Sequence, residues 1–266
     1  MTYKAKKSLG QNFLKSQPAL KMMCEQGEIN SDDTIIEIGP GKGALTQKLL
    51  EQSNRVIAIE KDRELIEILK EKFQEEIKNK KLEIIDGDCL DFEPNNYNFK
   101  NNKYKIIANI PYNITGAILK KFLSCDFQPE RMILLVQHEV ARRIVAQDKK
   151  ESILSLSVKA YGDPKYIMKV GKRFFSPSPK VDSAIIAIKN ISKNNFKNKN
   201  EEDLFFNIIK TGFAHKRKVL RKNLEEIAPL LEIDKMYSDL KIDIKTRAED
   251  LPLPVWIKIN NFLNNL

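Results

Sequence analysis

Thr34-Ile35-Ile36-Glu37-Ile38 runs straight into Gly39-Pro40-Gly41-Lys42-Gly43, and Ala44 to Gln52 continues as a helical stretch. A β-branched run, a glycine loop and a helix in that order form the nucleotide cradle of open α/β sheets, where main-chain N–H groups at the helix start face a ligand. Working outward, Arg55-Val56-Ile57-Ala58-Ile59 reads as a second strand ending in Glu60. An acid about twenty residues beyond such a loop can accept from both hydroxyls of a ribose. Leu82 to Ile85 is a third strand, closed by Asp86-Gly87-Asp88, and Asp88 at the same sheet edge can accept from an adenine amino group. Upstream, residues 17 to 28 read as a helix opened by Pro18.

A fourth strand, Tyr104-Lys105-Ile106-Ile107-Ala108, stops abruptly at Asn109-Ile110-Pro111-Tyr112. The Asn109 side-chain oxygen and the Ile110 carbonyl can accept hydrogen bonds from one planar amino group, and Tyr112 can stack on the ring that carries it. An aromatic amine is a poor nucleophile because its lone pair is delocalised. Two fixed acceptors favour the pyramidal form in which that pair is available. The same four residues also suit an ordinary strand-to-turn junction. The loop has two readings as well: Gly39, Gly41 and Ala44 satisfy the dinucleotide pattern G-x-G-x-x-G/A, which keeps a nicotinamide enzyme open. Against it, Glu37 makes the loop E-x-G-x-G-x-G, suited to the methionine end of S-adenosylmethionine, and Asn109 to Tyr112 has no job in hydride transfer.

Beyond that motif, Thr115 to Leu123 reads as a helix, Arg131 to Gln137 as a strand and residues 138 to 147 as a helix. Ser155 to Ala160 and Tyr166 to Val170 read as paired strands around the turn Gly162-Asp163-Pro164, and Ala184 to Ile188 as the last strand. The loop Phe174-Phe175-Ser176-Pro177-Ser178-Pro179 is held extended by its prolines, so that one phenylalanine could stack on a base, unless both belong to the core. Residues 1 to 15 are either a frayed basic terminus or a segment folded over a ligand, with Asn12 in contact and Lys4 to Lys7 reaching phosphate. Residues 191 to 202 read as a linker. A helix over 203 to 224 would carry Lys210, Arg217 and Arg221 on one stripe, with Lys218 and Lys222 alongside, as a surface for phosphate backbone.

With 266 residues, 42% of them hydrophobic, the chain can build one large α/β domain and a small appendage. Its net charge of +10 favours a polyanionic partner, although lysine is abundant throughout the chain and placement of the charge matters more than its total. Cys24, Cys89 and Cys125 are odd in number and widely spaced, which fits a reducing compartment rather than a disulfide framework. With only His138 and His215 and no CxxC pair, neither a zinc site nor a histidine-dependent nucleophile is expected. No stretch has the length of a membrane span, and a cytosolic monomer is expected.

Together, Leu9-Gly10-Gln11-Asn12-Phe13-Leu14, Glu37 to Gly43, Asn109 to Tyr112 and Phe175 to Ser183, with the basic stretch Lys216 to Arg221, resemble the ribosomal RNA adenine dimethyltransferases. The resemblance covers almost the entire chain in the right order, and is strongest to the small-subunit enzymes. It implies an α/β fold: a class I S-adenosylmethionine-dependent methyltransferase domain over 1–190, Rossmann-like, with seven strands of which the last is antiparallel. A linker over 191–202 and a small all-helical rRNA-binding domain over 203–266 would follow. It further implies N6,N6-dimethylation of two adjacent adenosines in the 3′-terminal hairpin loop of small-subunit rRNA, within an immature 30S particle.

By matching positions, the cofactor contacts would be Asn12, Leu14, Gly39, Gly41, Glu60, Asp88 and Asn109. Asn109, Ile110, Tyr112, Phe175 and Glu37 would serve the transfer, and Lys6, Lys7, Lys210, Arg217, Lys218, Arg221 and Lys222 the RNA. Ile110 stands where the family often has Leu, which leaves the role of its carbonyl untouched. Two other readings stay open: a macrolide-resistance dimethylase of large-subunit rRNA, and an assembly factor that acts mainly by binding.

Overall fold

The computed structural model describes residues 3–6, 9–97, 99–215 and 217–266. The expected phosphate contact Lys7 and the first residue of the basic stretch, Lys216, lie outside the described residues. The chain packs as two compact units, residues 1–141 with 163–191, and residues 142–162 with 192–266.

In the first unit the strands are β1 (Phe13–Leu14), β2 (Thr34–Ile38), β3 (Arg55–Glu60), β4 (Leu82–Asp86), β5 (Lys105–Asn109), β6 (Arg131–Gln137), β7 (Asp163–Val170), β8 (Phe175–Ser176) and β9 (Ser183–Lys189). The helices between them are α1 (Gln17–Gly27), α2 (Ala44–Gln52), α3 (Arg63–Lys72), α4 (Gln74–Lys78) and α5 (Thr115–Ser124), and α6 (His138–Ile144) follows β6. Seven strands form one sheet in the order β4-β3-β2-β5-β6-β9-β7. The first five pair in parallel, while β9 lies antiparallel between β6 and β7. A small β1–β8 pairing stands apart.

Parallel strands covered on both faces must be apolar throughout, and Ile35, Ile36, Ile106, Ile107, Ile133 and Leu134 are all fully buried. On one face α1 carries Pro18 in its first turn and is capped by Ser16, whose hydroxyl accepts from the Ala19 N–H at 3.4 Å. Ala19, Leu20, Met23 and Cys24 then pack in one cluster with Ile35, Ile107, Ile133 and Ile185. The strand order reverses between β2 and β5, because the chain first builds outward to β4 and then returns to the other side of β2. In open α/β sheets that switch point is where a ligand crevice forms.

The second unit departs from the sequence expectation in two places. Residues 155–160 are not a strand: α7 spans Ile153–Lys159. The alternation of Leu154, Leu156 and Val158 imitates a strand, but Ser152 and Ser155 form a reciprocal capping box that starts a helix, and β7 pairs with β9 instead. The long basic helix is also broken, into α8 (Lys199–Gly212) and α9 (Leu220–Leu224).

The break has a packing cause. A Cβ at Gly212 would come within 2.5 Å of the Trp256 ring, so the helix end lies hard against that buried indole. Asn223 turns back to donate to the Gly212 carbonyl at 2.6 Å, satisfying an end-of-helix acceptor. Further on are α10 (Leu230–Asp239) and α11 (Leu253–Asn264), the latter carrying Trp256. The stretch expected as a linker contributes Phe196 to an aromatic group with Tyr161, Phe205 and Phe206, and Asn198 caps α8. Among the described residues no helix is long and apolar enough to cross a membrane.

Candidate active site

Because β2, β3, β4 and β5 run parallel, they end at one edge, and there a cavity of about 690 Å³ opens. Asn12, Leu14, Gly39, Gly41, Glu60, Asp88 and Asn109 all line it, and so do Glu37, Ile110 and Tyr112. Gly39, Gly41 and Gly43 hold φ values of 66°, 58° and 72°, the left-handed region in which a side chain is strained. A Cβ on Gly41 would also meet the Phe13 ring at 2.9 Å, so the loop is covered by the leader.

Glu60, at the end of β3, organises this loop. Its Oε1 accepts from the Lys61 and Asp62 N–H groups, both at 3.0 Å, and its Oε2 accepts from the Gly41 N–H at 3.2 Å. Burial raises its pKa, and those N–H bonds oppose the shift. Asp88 accepts from the Leu90 N–H and from Lys61 Nζ, each at 2.9 Å, which holds its carboxyl below the usual range.

Asn109 Nδ2 donates to the Asn12 carbonyl at 3.0 Å. A carbonyl only accepts, so the amide atom facing Asn12 is the nitrogen, and Oδ1 is left as an acceptor. Tyr112 shares a 2.6 Å hydroxyl bond with Ser183, the buried first residue of β9. Burial raises the Tyr112 phenol and the Ser183 bond partly offsets it.

Glu37 is 1% exposed, and its Oε2 has no hydrogen-bond partner. Burial, with the neighbouring Glu60 adding to it, pushes its carboxyl up to about 8. Between the ordinary carboxylate range and about pH 8 the folded chain therefore keeps a proton that the unfolded chain has lost, so stability falls as pH rises through that window. Glu37→Gln removes this titration. Urea unfolding of the variant is expected to lose less stability from pH 5 to 8 than the wild type, by on the order of 1 kcal/mol per pH unit. Parallel curves for the two proteins would refute the assignment.

Three expected roles meet obstacles. Phe175 is 4% exposed and does not line the cavity: the β1–β8 register pairs it with Leu14, and both sit in the core cluster. Its neighbour Phe174 is the exposed ring, with the Arg173 guanidinium 5.0 Å from its centroid. Lys6 does not extend toward phosphate, since its ammonium lies 2.7 Å from Asp62 and 2.8 Å from Glu64. Arg221 is bound by Asp234, while Lys210, Arg217, Lys218 and Lys222 are exposed on the end of α8, the following turn and α9. Sequence reasoning missed Asp62, Tyr3 and Ser183. Asp62 reads locally as a helix N-cap for α3, and nothing in its spacing reveals partners about sixty residues upstream.

A family model described as ribosomal RNA adenine dimethylase matches residues 2–265. The chain belongs to the ribosomal RNA adenine dimethylase family. A curated relative from Dehalococcoides mccartyi, "Ribosomal RNA small subunit methyltransferase A", is 39% identical over 263 residues, 97% of this chain and 88% of that protein. A solved dimethyladenosine transferase from Plasmodium falciparum matches at TM-score 0.81 and 24% identity, covering 95% of this chain and 98% of the other. The 23S rRNA methyltransferase ErmE matches at TM-score 0.78 and 23% identity, covering 95% and 100%. Both structural likenesses show the fold.

Membership in the dimethylase family makes this chain an S-adenosylmethionine-dependent rRNA adenine dimethyltransferase and removes the nicotinamide reading. The residues present fit that cofactor: the acceptors Glu60, Asp88 and Asn109 line one cavity together with the main chain of Gly39 and Gly41. Among the described residues no group of three or more His, Cys, Asp or Glu could hold a metal ion.

Proposed function

We propose that this dimethylase modifies N6 of two adjacent adenosines in the 3′-terminal hairpin loop of small-subunit rRNA, acting on an immature 30S particle during its assembly. The observation that carries the chemistry is the Asn109 amide, whose donor is committed to the Asn12 carbonyl at 3.0 Å, leaving an acceptor at the cavity. The choice of subunit follows curated relatives that bear a small-subunit name at 36–39% identity over nearly the whole chain.

Asn12, Leu14, Gly39, Gly41, Glu60, Asp88 and Asn109 would hold S-adenosylmethionine, with Glu60 on the ribose hydroxyls and Asp88 near the adenine amino group. When bound, that cofactor supplies an electrophilic methyl group on a sulfonium. Glu37, an uncharged acid below about pH 8, would offer its unpartnered oxygen to the positive charge as a dipole and not as a counter-ion. Asn109 Oδ1 and the Ile110 carbonyl accept the two N6 protons of the target, holding the amine pyramidal with its lone pair free. Alignment of this kind contributes about 7 to 11 kcal/mol to lowering a barrier. After one transfer the cationic amine loses a proton to water and keeps a single N–H, so it must rotate or rebind before the second.

Tyr112 stacks on the flipped purine, a contact worth about 1 to 3 kcal/mol. Tyr112→Ala is therefore expected to lower kcat/KM for rRNA about 5- to 150-fold, whereas Tyr112→Phe keeps most activity and loses only the Ser183 bond. Equal losses in both variants would mean that the hydroxyl, not the ring, matters. Lys210, Arg217, Lys218 and Lys222 contact phosphate, and each charge removed lowers the salt dependence of binding.

The experiment is methylation of purified unmodified 30S and 50S particles by this chain, followed by mass analysis of nucleosides. N6,N6-dimethyladenosine in 30S rRNA alone is expected. Transfer to the large subunit would favour the macrolide-resistance reading, and binding without transfer would favour an assembly factor.

A further inference from the structure

The leader carries a feature that methyl transfer itself does not require. Residues 3–6 and 9–15 form a strap pinned at both ends, and its outer end converges on one carboxylate. Asp62, whose side chain has no exposed surface, accepts from the Tyr3 hydroxyl at 2.6 Å, Gln11 Nε2 at 2.8 Å and Lys6 Nζ at 2.7 Å. A fourth donor, the Glu64 N–H at 3.1 Å, starts α3. Burial works to raise this carboxyl, yet the bonds from Lys6, Tyr3 and Gln11 hold it down at about 2, so it is ionised and firmly paired. Around the latch, the Tyr3 ring meets Phe13 edge-on at 5.9 Å, Lys42 Nζ lies 5.2 Å from the Phe13 centroid, and Phe13 covers Gly41.

The inner end of the strap is fastened elsewhere. Asn12 O holds the Asn109 amide, and β1 pairs with β8. Between these two fastenings, Leu9 to Lys15 line the cavity. The latch also touches the ribose acid, because the Asp62 N–H donates to Glu60 Oε1. A ligand of nucleoside size under this strap rests against the wall that Asp62 secures.

We propose that Asp62 is a positioning residue that latches the leader over the S-adenosylmethionine cavity and thereby sets how long the cofactor, or its demethylated product, stays bound. The inference rests on the reading of the cavity as the cofactor site. Tyr3 and Lys6 are the outboard half of the latch, and neither lines the cavity. Their loss leaves the α3 cap intact, because that bond runs from the Glu64 N–H to Asp62 itself.

The test compares wild type, Tyr3→Phe/Lys6→Ala and Asp62→Asn in full-length protein, reading dissociation of radiolabelled S-adenosylmethionine, the KM for each substrate and the melting temperature. Loss of two charge-assisted bonds is expected to speed dissociation and raise the cofactor KM about 10-fold or more, with kcat at saturation and the KM for rRNA within about twofold. Lys6→Arg alone, which keeps the charge, should behave as wild type. Unchanged cofactor retention in Tyr3→Phe/Lys6→Ala, at an unchanged melting temperature, overturns the latch. So does a raised rRNA KM with unchanged retention, which would return Lys6 to the phosphate. Wild-type protein that fails to bind S-adenosylmethionine would instead refute the cofactor site, a separate result that takes the latch with it.

Discussion

Asn109→Ala is expected to lower methyl transfer to rRNA about 10²- to 10³-fold, the loss seen when one preorganised hydrogen-bonding group aimed at a reacting centre is removed. Two effects combine in that number. The variant removes an acceptor for the N6 protons, so the amine relaxes toward its planar form. It also frees the Asn12 carbonyl, which the amide otherwise holds at 3.0 Å, and so loosens the strap at its inner end. The first effect acts on kcat and the second on the cofactor KM, and single-turnover kinetics at saturating cofactor separate them. Binding to the small subunit should persist, because the exposed lysines and arginines of the second unit are untouched. Normal transfer by the variant would refute the catalytic assignment outright.

Glu60→Ala is expected to reduce S-adenosylmethionine affinity at least about 100-fold and to destabilise the fold by about 3 to 5 kcal/mol. The Glu60 carboxylate accepts from three main-chain N–H groups, of Gly41, Lys61 and Asp62, in a side chain 7% exposed. A buried donor left unpaired costs about 1 to 3 kcal/mol, and here two buried donors, of Gly41 and Asp62, and the part-buried one of Lys61 are stranded beside a glycine loop already in left-handed conformations. Glu60→Gln should fall between, since its carbonyl oxygen can still serve Lys61 and Asp62 while its NH2 meets the Gly41 N–H donor to donor. Calorimetric titration with the cofactor and denaturant unfolding measure the two effects. Wild-type affinity in Glu60→Ala would mean that the acid shapes neither the loop nor the ribose site.

The elements that sequence reveals well are those whose signal is local and whose neighbours are covalently close. The passage from Thr34 to Gln52 declares strand, loop and helix because β-branched residues, glycines and a helical run follow each other without interruption, and the structure has β2 and α2 there. Asn109 to Tyr112 is legible for the same reason: a proline stops β5 just where its last polar residue reaches the sheet edge.

Elsewhere, tertiary contacts override the local pattern. The alternation over Leu154 to Val158 is that of a strand, yet a two-serine cap decides for a helix. The 203–224 helix has no proline to warn of its break, and the stop comes from Trp256, more than forty residues on, lying against Gly212. Phe175 has the composition of a stacking residue, but pairing of its strand with Phe13–Leu14 turns it into the core. The Asp62 latch joins residues 3, 6, 11 and 62, a set that no periodicity connects.

The central claim is geometric: the rim of the sheet receives the exocyclic nitrogen of an adenine between an asparagine oxygen and a proline-preceding carbonyl. The most direct measurement is a structure of this chain with the demethylated cofactor product and an adenosine-bearing rRNA hairpin. Adenine N6 within about 3 Å of both Asn109 Oδ1 and the Ile110 carbonyl, with Tyr112 across the ring, is the predicted result. An adenine bound away from these acceptors, or an Asn109 amide whose oxygen faces Asn12 instead of the cavity, would contradict it.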